Sequence, residues 1–386
     1  MTAKTLFGLE EVLAKELKQL GAMDVEVITR GVTFKGDMGF MYKANLWLRT
    51  AVRILVPIAQ FKARDADNMY RKLKDIAWEE LFDCDKTIAV SASTFKTIHD
   101  NSLFVAQKAK DAIVDRFRDI DGNRPSVDTR NPDVRIDLYL YQENVVVSLD
   151  SSGQSLHKRG YREADAAPIN EVLAAGILKM MDWTGLGNLI DPMCGSGTFL
   201  IEGALMAHNI PPGVFRKDNF SFLNWKNFDS DLYELLFEKA LEKEKNFHYK
   251  ILGFDNDSRV LLKAGKNLRS ALMEDQIKLE KADITNFNPV KEIPRPGMLI
   301  MNPPYGIKLE ADIPVLYEGI GRTLKHQFAG YQAWMISPSI EGIKKIGLRP
   351  SKKIKLVNGS IECWLLRYDL YEGSKKAKKQ GNREKQ

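Results

Sequence analysis

The sequence predicts an α/β protein in which a large, mostly parallel sheet follows two smaller α+β units. From Ile169 onward, apolar strand-like segments alternate with helix-length segments, which is the pattern of a parallel sheet with crossover helices. Before that point, shorter strands and helices occur with a hairpin pattern of alternating apolar and polar residues. The length of 386 residues also favours two to three domains over a single core.

Composition narrows the functional classes. Apolar residues make up 44% of the chain and aromatic residues 9%, so a sizeable core can form. The sequence has no apolar run near the ~18 residues that span a bilayer, and its N-terminus turns charged too soon for a signal peptide. Cys84, Cys194 and Cys363 are far apart, which suits a reducing cytoplasm and argues against a zinc site. We therefore expect a cytoplasmic protein with no membrane partner and no metal.

The positive charge is concentrated at the C-terminus. The chain carries a net charge of +6, and residues 373–386 alone hold six Lys and Arg against one Glu. The rest of the chain is therefore nearly neutral. The segment 372–386 is predicted to be a disordered basic tail, either a solvated terminus or a non-specific phosphate-binding arm.

A first α+β unit is predicted over residues 1–60. Apolar residues recur at helical spacing from Leu9 to Leu20, which predicts a helix. The segment VEVITRGVTFKG alternates like a half-buried strand. Residues 41–60 are interpreted as a second helix that runs into Pro57.

A second unit is predicted over residues 61–155, and a polar, basic linker follows over residues 156–168. The unit's elements are predicted to be a helix from Asp67 to Phe82, a strand from Thr87 to Thr94, a helix from Asn101 to Phe117, and a hairpin turning at Gln142-Glu143-Asn144.

The last domain is predicted over residues 169–371. Seven segments read as strands, and the final two are separated by Asn358-Gly359, which predicts an antiparallel hairpin at the sheet edge. The strand candidates are NLIDP, ILGFD, KLEKAD, GMLIMNPP, AWMISP, KIKLV and IECWLLRYDL.

The segment NLIDPMCGSGTFLIEG contains the first polar cluster. A strand ends at Asp191, and a loop with Gly195 and Gly197 leads into a helix that begins near Thr198. Glycines allow a ligand to approach the backbone, and the first N–H groups of a helix attract anionic atoms. Leu200 stands where a dinucleotide fingerprint has its third glycine, and the Gly-Lys-Ser/Thr of phosphate loops is absent. An acid before the loop suits a ligand with an ammonium and a carboxylate, although a plain strand–turn–helix remains the alternative.

Two further acids end strand-like segments. Asp255 ends ILGFD, where a carboxylate can accept both hydroxyls of a ribose, or can simply cap the next helix. An aromatic, charged and partly helical insertion separates it from Asp191, so the gap is much longer than in dinucleotide folds. Asp283 ends KLEKAD, where it could accept from an adenine amino group beside the Ile284 backbone.

The segment MLIMNPPYG carries the most specific pattern. The side-chain oxygen of Asn302 and the carbonyl of Pro303 can accept both N–H groups of a nucleobase amine, because proline fixes the backbone and Pro304 restricts its predecessor. Tyr305 can stack on the base and hold it out of its helix. Such an arrangement suits transfer of a methyl group to that amine from a sulfonium donor, which is already a strong electrophile and needs no strong base. Catalysis would then consist of orientation and hydrogen bonding, and the amine would lose its proton after methyl transfer. The alternative is a stiff structural turn.

The order of these clusters strengthens each of them. They fall on the first four predicted strands of one sheet, each at a carboxyl end, where open α/β sheets bind ligands. A purely structural explanation would require four coincidences. The sequence therefore predicts a methyl-transfer site at this edge.

DPMCGSGT and NPPYG resemble motifs of Rossmann-like methyltransferases that use S-adenosylmethionine (SAM) to methylate amino groups. The resemblance implies SAM as the cofactor. It assigns the methionine portion to Asp191, Gly195, Ser196, Gly197 and Thr198. It assigns the ribose and adenine to Asp255, Asn256, Asp283 and Ile284. It assigns the target amine to Asn302, Pro303, Pro304 and Tyr305. APINEVLAAGIL resembles the motif that precedes the first strand, which would place Pro168 at the cofactor entrance.

The resemblance extends upstream. The first 155 residues resemble a ferredoxin-like unit followed by a THUMP domain, which is an RNA-binding module, and LHKRGYRE is similar to the join that follows it. LVNGSIECWLLRY resembles the closing hairpin. The chain is thus identified as a member of the THUMP-containing guanine-N2 RNA methyltransferases, and it resembles the bacterial large-subunit rRNA branch. Some members carry a second methyltransferase domain, and a single modification is expected here.

This resemblance implies methylation of a guanine N2 in structured RNA, with 23S rRNA favoured and tRNA as the alternative. The aromatic insertion and the linker residues Lys158, Arg159, Tyr161 and Arg162 could help to grip the RNA. DNA and glutamine targets are less favoured because the N-terminal half resembles an RNA module. A catalytically idle RNA-binding or ribosome-assembly factor is the hypothesis from a different class, and it would need no cofactor.

Overall fold

The computed structural model describes residues 1–97, 101–162, 169–287, 297–305 and 313–371. Its strands are β1 (Thr2–Lys4), β2 (Met23–Ile28), β3 (Gly31–Lys35), β4 (Arg53–Lys62), β5 (Ile88–Phe95), β6 (Val134–Tyr141), β7 (Asn144–Asp150), β8 (Asn188–Asp191), β9 (Ile251–Asp255), β10 (Ile277–Lys281), β11 (Gly297–Met301), β12 (Gln332–Ser337), β13 (Lys352–Asn358) and β14 (Ile361–Asp369). Its α-helices are α1 (Glu10–Leu20), α2 (Met38–Trp47), α3 (Ala66–Lys74), α4 (Ser102–Asp121), α5 (Glu171–Met180), α6 (Thr198–Ala207), α7 (Ser230–Leu241), α8 (Ser258–Ser270), α9 (Ile313–Gln327) and α10 (Ile340–Lys345).

The chain divides into two compact units. The first contains Met1–Leu6, Leu13–Lys158 and Gly213–Glu242, and the second contains Phe7–Val12, Arg159–Pro212 and Lys243–Gln386. Gly213–Glu242 therefore belongs to the first unit, although residues of the second unit precede and follow it in sequence. Within the described ranges, none of the helices combines the length and apolar character that a bilayer crossing requires.

The first unit is built on a seven-stranded sheet with the order β2-β3-β1-β4-β7-β6-β5. Neighbouring strands run antiparallel except β5 and β6, which are parallel because α4 lies between them in sequence. The alternation predicted for the hairpin of β6 and β7 is confirmed. Leu138 and Leu140 are buried, whereas Tyr139 and Tyr141 on the opposite face are exposed.

Three predictions in this unit were wrong in detail. Residues 41–60 do not form one helix, since α2 ends at Trp47 and β4 takes up the β-branched segment that follows. Pro57 is tolerated in β4 because the register against β7 shifts between Pro57 and Ala59. The predicted single strand VEVITRGVTFKG is instead the hairpin of β2 and β3. The predicted helix from Asp67 is shorter, with α3 followed by a separate 3₁₀ turn at Trp78–Glu80.

The second unit contains the predicted mostly parallel sheet, with the order β10-β9-β8-β11-β12-β14-β13. All seven predicted strands are present, and β14 runs antiparallel to both β12 and β13, which confirms the closing hairpin. The chain moves outward from β8 to β9 and β10, and then returns to β11 on the other side of β8. Such a reversal of strand order opens a crevice at the carboxyl ends of the two central strands.

Candidate active site

Four polar residues lie together at the carboxyl edge of the second sheet. Asp191 is the last residue of β8 and Asp255 the last of β9, while Asp283 follows β10 and Asn302 follows β11. The strands are neighbours and parallel, with Asp191 paired to Gly253 and Lys281 paired to Asp255. The predicted placement of the four clusters at one edge is therefore confirmed.

The glycine loop after β8 has the backbone conformation that glycine permits. Gly195 and Gly197 have φ values of 55° and 83°, and Gly197 is the N-cap of α6 without a side-chain hydrogen bond to the helix. The loop is fixed to the sheet because the Cys194 N–H donates to the Phe254 carbonyl at 2.8 Å. The start of α6 thus leaves N–H groups that no capping side chain satisfies, which favours an anionic group there.

The missing third glycine has a packing explanation. A Cβ added to Gly253 of β9 would lie 2.3 Å from Leu200 Cδ1 and 2.7 Å from Leu279 Cδ2. Leu200 therefore fills the space left by a glycine on the neighbouring strand. Close helix–strand contact is achieved here with the glycine on the strand instead of the helix, which the dinucleotide pattern does not anticipate.

A cavity of about 330 Å³ lies beside this loop, a size at the low end of small-molecule sites. Asp191, Gly195, Ser196, Thr198 and Asn302 all line it, so the structure brings the glycine loop and Asn302 to one space. Pro303, Pro304 and Tyr305 follow Asn302 in the chain but are not among the residues that line this cavity. The cavity walls also include Lys263, Lys266 and Asn267, which the sequence did not suggest, and Arg162, which was predicted to contact RNA and not the cofactor.

Asp191 is the most perturbed acid of the cavity. Its side chain is buried, its exposed fraction is 1%, and it accepts a hydrogen bond from the Met193 N–H at 3.1 Å. Burial raises the pKa of Asp191 to about 8, and the neighbouring Asp255 carboxylate adds to the increase. A carboxyl group in this position binds a proton or a cation near neutral pH, which suits an ammonium group.

Asp255 links the second strand to the glycine loop. One carboxylate oxygen accepts from the Gly195 N–H at 3.1 Å and the other from the Asp257 N–H at 3.0 Å. Each oxygen retains a second lone pair for a ribose hydroxyl. Asp257, not Asp255, caps α8, since its carboxylate accepts from the Arg259 N–H at 2.8 Å.

Asp255 and the other described residues assigned to the nucleoside are not among the residues that line the cavity. Asn256 and Asp283 are exposed, and Asp283 accepts from the N–H and hydroxyl of Thr285, both at 2.8 Å. The Ile284 side chain is buried in the core, so only its backbone could face a ligand. Pro168 lies outside the described residues.

The Asn-Pro-Pro-Tyr segment follows directly from β11, whose last three residues are buried. Pro303 is buried, while Asn302 and Tyr305 are half-buried. The Tyr305 hydroxyl accepts a hydrogen bond from Asn358 Nδ2 at 3.1 Å, and burial raises the pKa of Tyr305. Asn358 ends β13 in the closing hairpin, so that hairpin holds the tyrosine from its far end.

Comparison with known families explains this geometry. Residues 159–367 match the RMKL-like methyltransferase domain family, residues 1–55 an RlmL ferredoxin-like domain and residues 63–150 a THUMP domain. The chain belongs to the RMKL-like methyltransferase family. The domain types expected from the sequence motifs are thereby confirmed.

Individual relatives support the assignment. The ribosomal RNA large subunit methyltransferase K/L of Syntrophotalea carbinolica is 38% identical over 376 residues, which cover 95% of this chain and 53% of that protein. The chain thus spans about half the length of that relative. The protein slr0064 of Synechocystis sp., provisionally named an RNA methyltransferase, is 39% identical over 368 residues, 94% of this chain and 95% of the relative. A solved structure of SMU.472, provisionally called a methyltransferase and complexed with SAH, has a TM-score of 0.85 and 32% identity, with coverage of 97% and 98%.

Arg162 contributes to the methyltransferase cavity instead of an outer surface. Its guanidinium donates to the Thr198 hydroxyl at 2.8 Å and to the Ile169 carbonyl at 3.2 Å, and lies 3.3 Å from the Glu171 carboxylate. Thr198 begins α6, so Arg162 places a positive charge beside the helix start. The sequence showed only a basic linker and gave no signal for this contact.

The linker was predicted to help grip RNA, and for two of its residues this was wrong. Arg159 and Tyr161 are both buried, and both contact the buried carboxylate of Glu202, at 3.2 Å and 3.1 Å. A buried acid requires such partners because leaving it unpaired in the interior is costly. These side chains therefore stabilise the methyltransferase domain, while Lys158 is exposed.

The aromatic insertion, residues 211–247, was also predicted to contact RNA, and most of its rings are instead part of the core of the first unit. Tyr42 of α2 packs against Phe222 with ring centroids 4.8 Å apart, and against Tyr233 at 5.7 Å. Aromatic rings that are buried in this way cannot stack on a base. The buried aromatic residues of the insertion are Phe220, Phe222, Trp225, Tyr233 and Phe237.

Proposed function

We propose that this chain is a SAM-dependent methyltransferase that modifies the exocyclic N2 amine of a guanine in structured RNA, with 23S rRNA as the substrate. The observation that carries the proposal is the cavity shared by Asn302 and the glycine loop. An acceptor for a planar amine and a binding loop for the methyl donor must lie together for methyl transfer, because the reacting atoms have to meet at ~3–3.5 Å.

The cavity residues fit SAM. Asp191 is a buried acid with a raised pKa, and it matches the ammonium of the methionine portion. The start of α6 and the Arg162 guanidinium match the carboxylate, and Asp255 keeps acceptor capacity for the ribose. When bound, SAM supplies a methyl group on a positively charged sulfur, which needs no strong base to activate its acceptor.

The protein's part of the reaction is to orient the target amine. The Asn302 side-chain oxygen and the Pro303 carbonyl accept the two N–H groups, which directs the nitrogen lone pair out of the base plane. Tyr305, held at its hydroxyl by Asn358, provides a ring on which the base stacks. The amine proton leaves after methyl transfer, when the nitrogen has become acidic.

The choice of RNA rests on the first unit and on the relatives. Residues 63–150 match a THUMP domain, and the Syntrophotalea carbinolica relative is named for the large-subunit ribosomal RNA. A tRNA guanine is the second candidate, because the same pair of modules suits either RNA. From this proposed substrate we infer a cytoplasmic location.

Mass spectrometry of nucleosides from cells that lack the protein tests the substrate. We expect 23S rRNA to lose one N2-methylguanosine and to regain it when the wild-type chain is supplied. The Asn302→Ala variant is the matched control and should not restore the modification. Loss from the tRNA pool alone would assign the second candidate, and loss from neither pool would reject guanine methylation.

Calorimetry separates the enzyme from an idle RNA-binding or ribosome-assembly factor. A methyltransferase must bind SAM, whereas an assembly factor with a degenerate site need not. We expect one SAM per chain, with binding lost when Asp191 and Gly195 are both changed to bulky residues. A wild-type chain that binds RNA but no SAM would favour the idle factor.

A further inference from the structure

An aromatic surface lies on the open face of the first unit's sheet. It consists of Phe95 on β5 with Tyr139 and Tyr141 on β6, and we call these three residues the aromatic face. The parallel register pairs Phe95 with Tyr141 and Ser93 with Tyr139, so all three rings project from the same side of the sheet. Their exposed fractions are 54%, 37% and 38%, whereas Leu138 and Leu140 between them are buried.

The three rings form a connected group. The Phe95 and Tyr139 ring centroids are 5.7 Å apart with an interplanar angle of 41°. Tyr139 and Tyr141 are two residues apart on one strand, which places them ~6.8 Å apart along it. Two rings at this spacing on a sheet can each receive one base, as the aromatic residues of sheet-based RNA-binding modules do.

Positive charge lies beside the rings. The Lys4 ammonium of β1 is 5.6 Å from the Tyr139 ring centroid. The registers β6–β7 and β7–β4 pair Tyr141 with Asn144 and Asn144 with Lys62, so Lys62 lies in the same cross-strand row as Tyr141. Aromatic rings with nearby ammonium groups combine the base-stacking and phosphate-binding elements of single-stranded nucleic-acid sites.

The rings have several polar neighbours, and the partly exposed Val146 lies between Tyr139 and Gln60 in one cross-strand row. Ser93 and Gln60 lie in the row of Tyr139, and Asp137 in the next row accepts from the Ser91 hydroxyl at 3.0 Å. Burial raises the pKa of Asp137, and the Ser91 hydrogen bond and the Lys4 ammonium oppose this increase. A face of rings set among hydroxyls, an amide and ammonium groups suits nucleic acid better than an apolar protein surface.

We propose that the aromatic face is a stacking platform for unpaired bases of the RNA substrate. The inference rests on the proposed function for the existence of an RNA substrate, and it assigns to the first unit a defined contact surface. Tyr139 and Tyr141 receive one base each, Phe95 supports the Tyr139 ring, and Lys4 and Lys62 attract the flanking phosphates.

Fluorescence anisotropy with the full chain and a labelled single-stranded RNA of about a dozen nucleotides tests the platform. Loss of a stacked ring weakens binding by roughly fivefold or more per base, so the Tyr139→Ala, Tyr141→Ala double variant should bind at least about 25-fold more weakly. The Tyr139→Phe, Tyr141→Phe variant keeps both rings and should stay within about twofold of wild type. Lys4→Ala should lower the slope of log affinity against log salt by about one.

Two controls separate stacking from damage to the fold. Tyr249 in the second unit is 40% exposed, so Tyr249→Ala removes an equally accessible ring from elsewhere and should leave RNA affinity unchanged. Thermal unfolding of the alanine double variant should match wild type, because exposed side chains contribute little to stability. Cross-linking of a thiouridine-substituted RNA should map to Tyr139 or Tyr141.

Wild-type RNA affinity in the alanine double variant would overturn the platform and leave the proposed methyl transfer intact, since SAM binding and the nucleoside analysis measure that separately. Absence of RNA binding by the wild-type chain would overturn both. Weakened binding to ribosomal particles with unchanged binding to naked RNA would assign the face to a protein partner and overturn the proposal.

Discussion

The carboxyl edge of the second sheet and the insertion Gly213–Glu242 both contain residue types that suit RNA methylation, but only the edge presents them to a cavity. Asp191 and Asn302 end or follow strands and line that cavity. Phe222 and Tyr233 of the insertion are buried in the first unit. The position of a side chain relative to the end of a strand therefore predicts function better than its chemical type does.

The first prediction tests whether the rings of the insertion stabilise the core of the first unit. Phe222→Ala should lower the free energy of unfolding by about 3–5 kcal/mol, because it removes a fully buried ring that packs against Tyr42, Phe220 and Tyr233. Denaturant unfolding measures the loss. Phe95→Ala is the matched control, since Phe95 is exposed in the same unit, and it should be near wild type. Equal stability of the two variants would contradict the core assignment.

The second prediction tests the catalytic role of Asn302 at the carboxyl edge. Asn302→Ala should reduce kcat by about 10²–10³-fold, the typical cost of removing one oriented polar contact from an active site. The dissociation constant for SAM should change by less than about twofold, because Asn302 contacts the target amine on this mechanism. Single-turnover methylation and calorimetry give the two quantities. A large loss of SAM affinity would instead show that Asn302 serves the cofactor.

A smaller effect is expected on the pH dependence of SAM binding, through Asp191. The raised pKa of Asp191, about 8, means that the folded chain holds a proton which an ammonium ligand must displace. SAM affinity should therefore rise as the pH increases from about 6 to 8 and then level off. Calorimetry in buffers of different ionisation enthalpy should show proton release on binding.

Asp191→Asn removes the titrating group and should weaken SAM binding by about 10–100-fold, the loss expected for a buried charge-assisted contact. Its affinity should be flat over the same pH range. The sign for stability is the opposite one. Without ligand, the folded state of the wild type is disfavoured as the pH rises from about 4 to 8, and the asparagine variant lacks this loss. A pH-dependent Asp191→Asn variant would assign the titration to another group.

The smallest effect is expected at the hydrogen bond between Asn358 of the closing hairpin and Tyr305. Asn358→Ala removes the partner of the Tyr305 hydroxyl and should lower kcat by about fivefold, which corresponds to one hydrogen bond of ~1 kcal/mol. Tyr305→Phe should have the same effect, and the double variant should cost no more than either single change. Fully additive losses would show that the two residues act separately.

The sequence predicted the second sheet well because its signals are local. Each of the seven strands is a short segment of continuous or alternating apolar residues that is followed by a polar residue or a turn. The glycine loop and the start of α6 at Thr198 were likewise readable from neighbouring residues. By contrast, the Gly253–Leu200 packing joins two elements far apart in the chain, so no local pattern contained it.

The errors share the same origin. Residues 53–62 contain enough apolar side chains to fit either period, and only the pairing of β4 with β1 and β7 selects a strand. From the sequence of the basic linker, the different environments of Arg159, Tyr161 and Arg162 cannot be told apart. Glu202 buries the first two and Thr198 draws the third into the cavity, and both partners lie about 40 residues further along the chain. The roles of Asp255, Asn256, Asp283, Ile284 and Pro168 in binding the nucleoside stay predictions.

The discontinuous makeup of the first unit has a consequence for protein synthesis. Its strands β1–β7 are made first, but the rings that complete its core lie in Gly213–Glu242, after the first strand and helix of the catalytic sheet. During translation, the surface of the first unit that these rings cover therefore stays exposed until Gly213–Glu242 has left the ribosome. A ribosome stalled between residues 158 and 213 should therefore carry a nascent chain that recruits chaperones.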